Sequence, residues 1–341
     1  MKKIRVGLVG CGRIAEYHLR ALQEIPDFSV TAVCDVIAER AAAAVKPLAG
    51  VKTYADYREL VRAADVDLVD ICTPSGLHPE IGIAAAQAGK HVVTEKPMAV
   101  RLADADALIA ACRTAKVQLF VVKQNRLNTT MQLLKRAIDR GRFGRIFMVN
   151  STVRWQRPQA YYDSAPWRGT WALDGGAFMN QASHYVDSLV WLAGPVQSVY
   201  AQTATFSHRI EAEDSGAAVL RFKSGAIGAM EVTMCTYPKN LEGSVTIVGE
   251  NGTVKLGGIA INRFETWQFA DYDDDDGLVY KSNYEPPNVY GFGHLAYFTN
   301  VAATLRGAAV AGTDGDEGRK SLELICAMYA SAKSGQAVML S

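Results

Sequence analysis

Residues 4–15 read Ile-Arg-Val-Gly-Leu-Val-Gly-Cys-Gly-Arg-Ile-Ala. The branched apolar run 4–9 predicts a buried strand and residues 13–24 a helix, so the glycines fall in the turn between them. Gly10-Cys11-Gly12-Arg13-Ile14-Ala15 fits the pattern G-x-G-x-x-A. Gly10 permits the tight turn, Gly12 lets a pyrophosphate approach the backbone, and small Ala15 allows close helix–strand packing. The helix N-terminus at Arg13 and Ile14 then faces the phosphates. Asp35 ends the next strand about 20 residues on, where a carboxylate accepts both ribose hydroxyls and repels a 2'-phosphate. Its follower, Val36, offers no compensating cation. NAD is therefore expected rather than NADP. Asp35 also fits a helix N-cap at the same position.

Outward from this turn the pattern repeats. Strand-like runs at 29–34, 51–54, 68–72, 91–94 and 118–122 alternate with helical patterns at 36–46, 56–62, 79–88 and 102–116. Repeated strand–helix units predict an α/β class with a parallel, doubly wound Rossmann sheet. The fourth strand runs into Thr73-Pro74-Ser75-Gly76-Leu77-His78 and the fifth into Glu95-Lys96-Pro97. Carboxyl ends of strands in such a sheet are where ligands bind, so Thr73, Pro74, Ser75, His78, Glu95 and Lys96 should border the nicotinamide. Lys96 is the sharpest candidate, since it follows a buried strand and precedes a stiff proline; a plain pairing with Glu95 fits the position equally.

Past Lys123 the pattern changes. A helix at 128–140 is followed by strands at 146–155, 198–205, 217–222, 227–235, 244–248, 253–256 and 264–269, with hairpin signals at Ser224-Gly225 and Asn251-Gly252. These predict a second, α+β domain with one large open antiparallel sheet, one face covered by helices near 178–192, 293–305 and 317–333. The uncovered face predicts an oligomer packed sheet against sheet. The division expected is 1–123 for the dinucleotide and 124–341 for substrate binding and oligomerisation.

Composition agrees with a small-molecule protein. The 341 residues carry 36 Lys and Arg against 35 Asp and Glu, a net charge of +1, with 49% hydrophobic residues. Nucleic-acid binders carry a basic excess, and disordered chains lack this apolar content. The uncharged stretches 188–208 and 286–305 are broken by Gly194-Pro195, Pro286-Pro287, Gly291 and Gly293, so neither predicts a membrane span, and no cleavable leader follows Lys2-Lys3. A cytoplasmic protein is expected. Six scattered cysteines without a C-x-x-C pair fit reduced thiols, with no metal site. The charge run Asp271 to Asp276 places Asp276 and Ser282 where a calcium loop needs Gly and Glu, so it is expected to be a solvated loop that tolerates its own repulsion.

After Gly175-Gly176, residues Asn180, His184, Asp187 and Ser188 recur at spacings of three or four and would share one helix face. A histidine on such a helix is often a satisfied core residue, but a dehydrogenase needs a base near pH 7 to accept the hydroxyl proton, and imidazole suits that task. Arg154, Arg157 and Arg168 lie among Trp155, Tyr161, Tyr162, Trp167 and Trp171. Arginines suit bidentate anion recognition and aromatics suit stacking, although a solvated loop with an aromatic cluster has the same composition.

GCGRIA, TPSGLH, EKP and NQASHYVD (180–187) together resemble the glucose-fructose oxidoreductase/inositol dehydrogenase/rhizopine catabolism (Gfo/Idh/MocA) family over nearly the whole chain. The resemblance implies an N-terminal Rossmann domain, a C-terminal α/β domain with an open sheet, and a dimer of dimers. It implies catalysis by the EKP lysine and a carboxylate-x-x-x-histidine pair, which map to Lys96, Asn180 and His184. Asn180 departs from the common Asp; an amide orients a hydroxyl but cannot exchange protons, which concentrates acid–base work on His184 and Lys96. Trp167 and Arg168 would touch the cofactor by the same analogy. FVVKQNR (120–126) and FMNQASHYVD (178–187) are similar to the sugar-nucleotide group of the family, the UDP-N-acetylglucosaminuronate 3-dehydrogenases of bacterial surface-polysaccharide pathways. That likeness implies oxidation at C3 of a UDP-sugar acid with NAD as hydride acceptor. His184 would remove the hydroxyl proton, Lys96 would stabilise the oxygen, and Gln124, Asn125 and Asn180 would position the sugar, with Arg154 and Arg157 for its anionic groups. The reverse division between Lys96 and His184 stays open. So do a relative acting on a free sugar, polyol or inositol, and an inert NAD-dependent regulator.

Overall fold

A computed structural model describes residues 2–63, 65–285 and 291–340; the expected Pro286-Pro287 break lies outside them. The chain divides into two compact units, Met1–Lys123 with His294–Arg319, and Gln124–Gly293 with Lys320–Ser341.

The first unit contains β1 (Ile4–Val9), α1 (Arg13–Glu24), β2 (Phe28–Cys34), α2 (Ala38–Val45), β3 (Lys52–Tyr54), α3 (Tyr57–Arg62), β4 (Leu68–Ile71), α4 (His78–Gln87), β5 (His91–Thr94), α5 (Leu102–Ala115) and β6 (Leu119–Val121). Its strands pair in parallel in the order β3-β2-β1-β4-β5-β6. The order reverses between β1 and β4, which creates a crevice at their carboxyl ends. Leu8 and Val33 from the sheet pack with Ala15 and Leu19 from α1. A small residue at position 15 therefore lets the helix lie close to the strands that carry the glycine turn.

The second unit contains α6 (Thr129–Asp139), β7 (Ile146–Arg154), α7 (Gln159–Asp163), a π-helical turn Ala177–Gln181, α8 (Ser183–Ala193), β8 (Val196–Ala204), β9 (Ser215–Phe222), β10 (Ile227–Thr233), β11 (Glu242–Gly249), β12 (Gly252–Gly257) and β13 (Arg263–Phe269). Then follow α9 (Gly293–Leu305), α10 (Gly315–Ser334) and β14 (Val338–Met339). The sheet order is β13-β12-β11-β7-β10-β9-β8-β14. It is mixed rather than wholly antiparallel: after β7 the chain crosses through α8, then meanders back through β8 and β9 so that β10 lies parallel to β7. Burial alternates along β9, with Ala218, Leu220 and Phe222 inward and Ala217, Val219 and Arg221 outward. One face is thus apolar and covered, α8 lying on β7 and β11, and the other is open.

Helix α9 does not cover this sheet, contrary to the sequence expectation. Its Phe298 lies edge-on to His18 and Phe28 of the first unit, ring centroids 5.1 and 6.2 Å away. The segment after it pairs with the edge strand β6: Val121 N–H donates to the Thr313 carbonyl (2.9 Å), and the Thr313 hydroxyl donates to the Val121 carbonyl (2.7 Å). An edge strand has unpaired backbone groups, and these bonds use them.

The acidic run is also not a self-repelling loop. Asp275, Asp273 and Asp276 pair with Arg136, Arg140 and Arg142 at 2.9, 2.7 and 2.6 Å, so three arginines at the end of α6 and just beyond it offset the repulsion. No helix among the described residues is long and apolar enough to cross a membrane.

Candidate active site

In the first unit, Gly10 has φ +95°, and a Cβ there would lie 2.7 Å from the Cys72 backbone. Only glycine fits this turn. Gly12 caps α1 without any side-chain cap, and a Cβ there would meet nothing within 4 Å. The space beside Gly12 is therefore open at the positive end of α1, which suits an anion. Asp35 accepts from Cys11 N–H through one oxygen and from Ile37 N–H through the other, both at 2.8 Å. Helix α2 is capped at Ile37, so Asp35 is not its N-cap residue. A carboxylate fixed at the end of β2, an uncapped helix and an open cradle together fit a dinucleotide.

Two further turns border this crevice. The buried His78 ring faces two backbone carbonyls, Pro97 from Nδ1 and Thr73 from Nε2, each at 2.8 Å. The ring thus lies between the Thr73 and Pro97 turns, the two loops that follow β4 and β5. The Thr73 hydroxyl is buried without a hydrogen-bond partner among the described residues, and its backbone lies against Gly10. Ser75 opens a short 3₁₀ turn after Pro74. Glu95 accepts the backbone N–H of Lys96 at 2.9 Å. Burial works against the Glu95 charge, but the hydrogen bond and charge of His18 and the charge of Lys96 outweigh it and bring its pKa down to about 2.

In the second unit, Arg126 grips Asp187 of α8 through two bonds, Nε to Oδ2 at 2.7 Å and Nη2 to Oδ1 at 2.9 Å, both side chains buried. This bidentate pair fixes the 3₁₀ turn Gln124–Leu127 to α8. The amide oxygens of Gln124 and Asn125 are buried without a hydrogen-bond partner among the described residues.

Asn180 lies in the π-turn, and α8 begins at Ser183. The expected single stripe is thus broken: Asp187 is turned inward to Arg126, and the Ser188 hydroxyl bonds the His184 carbonyl at 2.8 Å. His184 remains half-buried on α8. The Asn180 amide is oriented at both ends, its NH2 donating to Asp174 and its oxygen accepting from Gln181 Nε2 at 3.1 Å. Asp174 is itself held by Gly169 N–H at 2.7 Å. Gln181 also donates to the Tyr161 hydroxyl at 2.9 Å and accepts from Arg157 Nε at 3.1 Å, while Arg168 donates to Tyr161 at 2.6 Å. Asp174 and Gln181 were given no role from the sequence, and Tyr161 was read there as a stacking aromatic rather than a hydrogen-bonding one; the position of Asp174 directly before Gly175-Gly176 was the available signal. The Arg168 guanidinium stacks between Tyr161 and Trp167, 4.2 and 4.5 Å from their ring centres.

Arg154 is not with this group. It pairs with Glu231 and Glu242 on the open sheet face and lines a cavity of about 460 Å³ there with Gln202 and Phe206. Arg168 lines a different cavity of about 270 Å³ with Tyr162 and Arg209.

Comparisons with known proteins agree with this geometry. Residues 4–123 match the oxidoreductase family NAD-binding Rossmann fold, and residues 135–340 match the C-terminal alpha/beta domain of the same oxidoreductase family. The chain is 53% identical to the WlbA dehydrogenase of Bordetella pertussis, solved in complex with NADH and UDP-GlcNAcA, with TM-score 0.97 over 100% of this chain and 98% of that one. The WlbA enzyme of Chromobacterium violaceum, solved with the same two ligands, is 52% identical, with TM-score 0.96 over 100% and 97% of the two chains. The myo-inositol 2-dehydrogenase of Thermotoga maritima is 32% identical over 67% of this chain and 68% of its own length. With both domains matched in order, the chain belongs to the Gfo/Idh/MocA oxidoreductase family.

Proposed function

We propose that this protein is an NAD-dependent dehydrogenase that oxidises the C3 hydroxyl of UDP-N-acetylglucosaminuronic acid to a ketone. The observation that carries the substrate is the 53% identity, across the whole chain, to a dehydrogenase solved with NADH and UDP-GlcNAcA. Gly10, Gly12, Arg13, Ile14 and Asp35 hold the dinucleotide, with Thr73, Pro74, Ser75, Glu95, Lys96, Asn125, Trp167 and Arg168 completing its site. NAD, when bound, supplies the hydride acceptor.

The chain's own residues manage the proton and the sugar. His184 takes the hydroxyl proton, and Lys96 donates a hydrogen bond that stabilises negative charge developing on the same oxygen. Gln124 and Asn125 offer to sugar hydroxyls amide oxygens that have no hydrogen-bond partner among the described residues. Asn180, its NH2 tied to Asp174, presents an oriented amide that cannot compete for the proton. Arg157 serves an anionic group of the substrate. Residues 1–123 form the NAD domain and 124–341 the substrate and assembly domain, with 294–319 completing the fold of the first.

The open sheet face, with Val219 61% and Tyr200 42% exposed, is read as the contact between copies in a homotetramer of the cytoplasm, serving surface-polysaccharide sugar synthesis. Light scattering tests the assembly. The activity is tested by incubating the protein with NAD and UDP-GlcNAcA, following NADH absorbance and product mass; a product lighter by two hydrogens is expected. Turnover on inositol or an unphosphorylated sugar, with none on UDP-GlcNAcA, overturns the reading.

A further inference from the structure

The helical segment that carries Asn180 starts with four backbone N–H groups that no intrahelical carbonyl can reach. Two residues take all four. The Tyr329 hydroxyl oxygen accepts from Gly176 and Met179 at 3.3 and 3.1 Å. Glu213 Oε1 accepts from Phe178 at 2.9 Å, and the Glu213 carbonyl accepts from Ala177 at 3.0 Å. Tyr329 then donates its own hydrogen to Glu213 Oε1 at 2.9 Å. The Asn180 N–H comes next and bonds back to the Gly176 carbonyl at 3.0 Å. Glu213 is 3% exposed, and a Cβ on Gly176 would lie 1.5 Å from its Oε2. Gly176 is thus glycine because a carboxylate occupies the space of its side chain.

We propose that Glu213 and Tyr329 are a positioning pair that fastens the turn bearing Asn180, and the start of the helix bearing His184, only while Glu213 is ionised. An ionised Oε1 draws in both the Phe178 N–H and the Tyr329 hydroxyl, and a carboxylate at a helix start is favoured by the aligned peptide dipoles. Protonation weakens both bonds. It also places a hydrogen on Oε2, which has no partner among the described residues. Besides burial, four influences act on the Glu213 charge: the Phe178 N–H from the π-turn, the Tyr329 hydroxyl from α10 and the backbone N–H of Glu213 itself favour it, and the Asp214 carboxylate just before β9 opposes it. Burial is the largest influence and pushes the Glu213 carboxyl up to about 7, so the two states exchange near neutrality.

This role rests on the reading that Asn180 and His184 serve turnover, so the test has one arm without substrate. Infrared titration of the free protein should show a buried carboxyl band that disappears as pH rises through neutrality and is absent in Glu213→Gln. Tyr329→Phe removes a donor to the carboxylate, so the midpoint of that band and the acid limb of kcat should both move to higher pH. Glu213→Gln, neutral at every pH, should lower kcat about tenfold above neutrality, as a misplaced helix start would, with NAD affinity unchanged. If Glu213→Gln does not fold, Tyr329→Phe decides alone. A wild-type protein with no carboxyl band titrating near neutrality, or a Tyr329→Phe variant slowed equally at all pH with its acid limb unmoved, overturns the assignment. A wild type that shows the titrating band but no turnover of UDP-GlcNAcA sinks the substrate reading and leaves the pair standing.

Discussion

The imidazole of His18, fully buried in the first unit, lies 3.1 Å from Glu95 through Nε2. Its Nδ1 faces Asp70 at 2.9 Å, and the far oxygen of Glu95 receives the Lys96 N–H. One ring thus bridges two buried carboxylates beneath the turn that carries Lys96. Burial opposes its positive charge, but Asp70, helped by Cys72, outweighs burial and holds the His18 pKa well above the usual histidine range.

Replacing His18 with Leu should therefore leave Asp70 and Glu95 facing each other without a cation. A loss of about 3–5 kcal/mol is expected at neutral pH, measured by urea unfolding. The sign with pH follows from the two shifts. Glu95, lowered to about 2 from 4.5, contributes stability above 4.5 that is lost as pH falls towards 2. His18, raised, contributes fully below 6.5 and loses its contribution as pH rises through its elevated value. The deficit of the variant should be largest between these limits and shrink in acid. A deficit independent of pH would count against the ion bridge.

Gly10 and Gly12 should separate under the same mutation. Gly10→Ala forces a Cβ onto the Cys72 backbone at positive φ and should cost about 1–3 kcal/mol of stability. Gly12→Ala meets no atom within 4 Å, so its melting temperature should hardly change. Its methyl group would instead stand where a pyrophosphate approaches, and the NAD dissociation constant should rise about tenfold or more. Equal effects of both changes on stability, measured calorimetrically without cofactor, would contradict this division.

How much of this was legible beforehand depended on how local the physics was. The glycine turn and the alternating strands could be read because a turn and a half-buried strand each leave a mark within a few residues. The role of 293–305 could not: this helix is apolar enough to suit either layer, and only the edge of β6, reached through Thr313, decides where it lies. The run Asp271 to Asp276 could not be read as a paired cluster, because its partners Arg136, Arg140 and Arg142 are over 130 residues away in sequence. Glu213 was missed for a related reason. Within Glu211-Ala212-Glu213-Asp214 it looks like surface charge, and its burial follows from Gly176 and Tyr329, both distant in the chain.

The Arg126–Asp187 pair makes a prediction about coupling. Arg126→Met removes one partner of a buried ion pair and should destabilise the second unit by about 3–5 kcal/mol. Asp187→Asn in the same background removes the orphaned charge and should restore part of that loss, a coupling that a double-mutant cycle in urea would measure. Because the pair fixes the turn of Gln124 and Asn125 to α8, both the substrate KM and the NAD dissociation constant should rise in the single mutant.

The two proposed reacting residues lie outside the Gly10–Ala15 turn and Asp35. His184→Asn and Lys96→Met should each reduce kcat by about 10²- to 10⁴-fold, the usual range for losing a general base or charge stabiliser. Isothermal titration should still show NAD binding in both. Turnover that survives in either variant would remove that residue from the mechanism.

Asn180 provides the most specific test, because restoring the commoner family residue should damage this protein. Its NH2 donates to the buried Asp174, which the Gly169 N–H also holds. Asn180→Asp replaces that donor with a second carboxylate beside the first. Two acceptors cannot satisfy each other unless one is protonated, and like charges this close raise one pKa strongly. The π-turn would then either move away from Asp174 or carry a shared proton. A fall in kcat of about tenfold is expected near pH 7, partly recovered in acid as the pair takes up a proton. Asp174→Asn combined with Asn180→Asp returns one donor and one carboxylate to the pair, and should regain most of the lost rate. An Asn180→Asp enzyme as active as wild type across the pH range would show that Asp174 does not dictate the amide at this position.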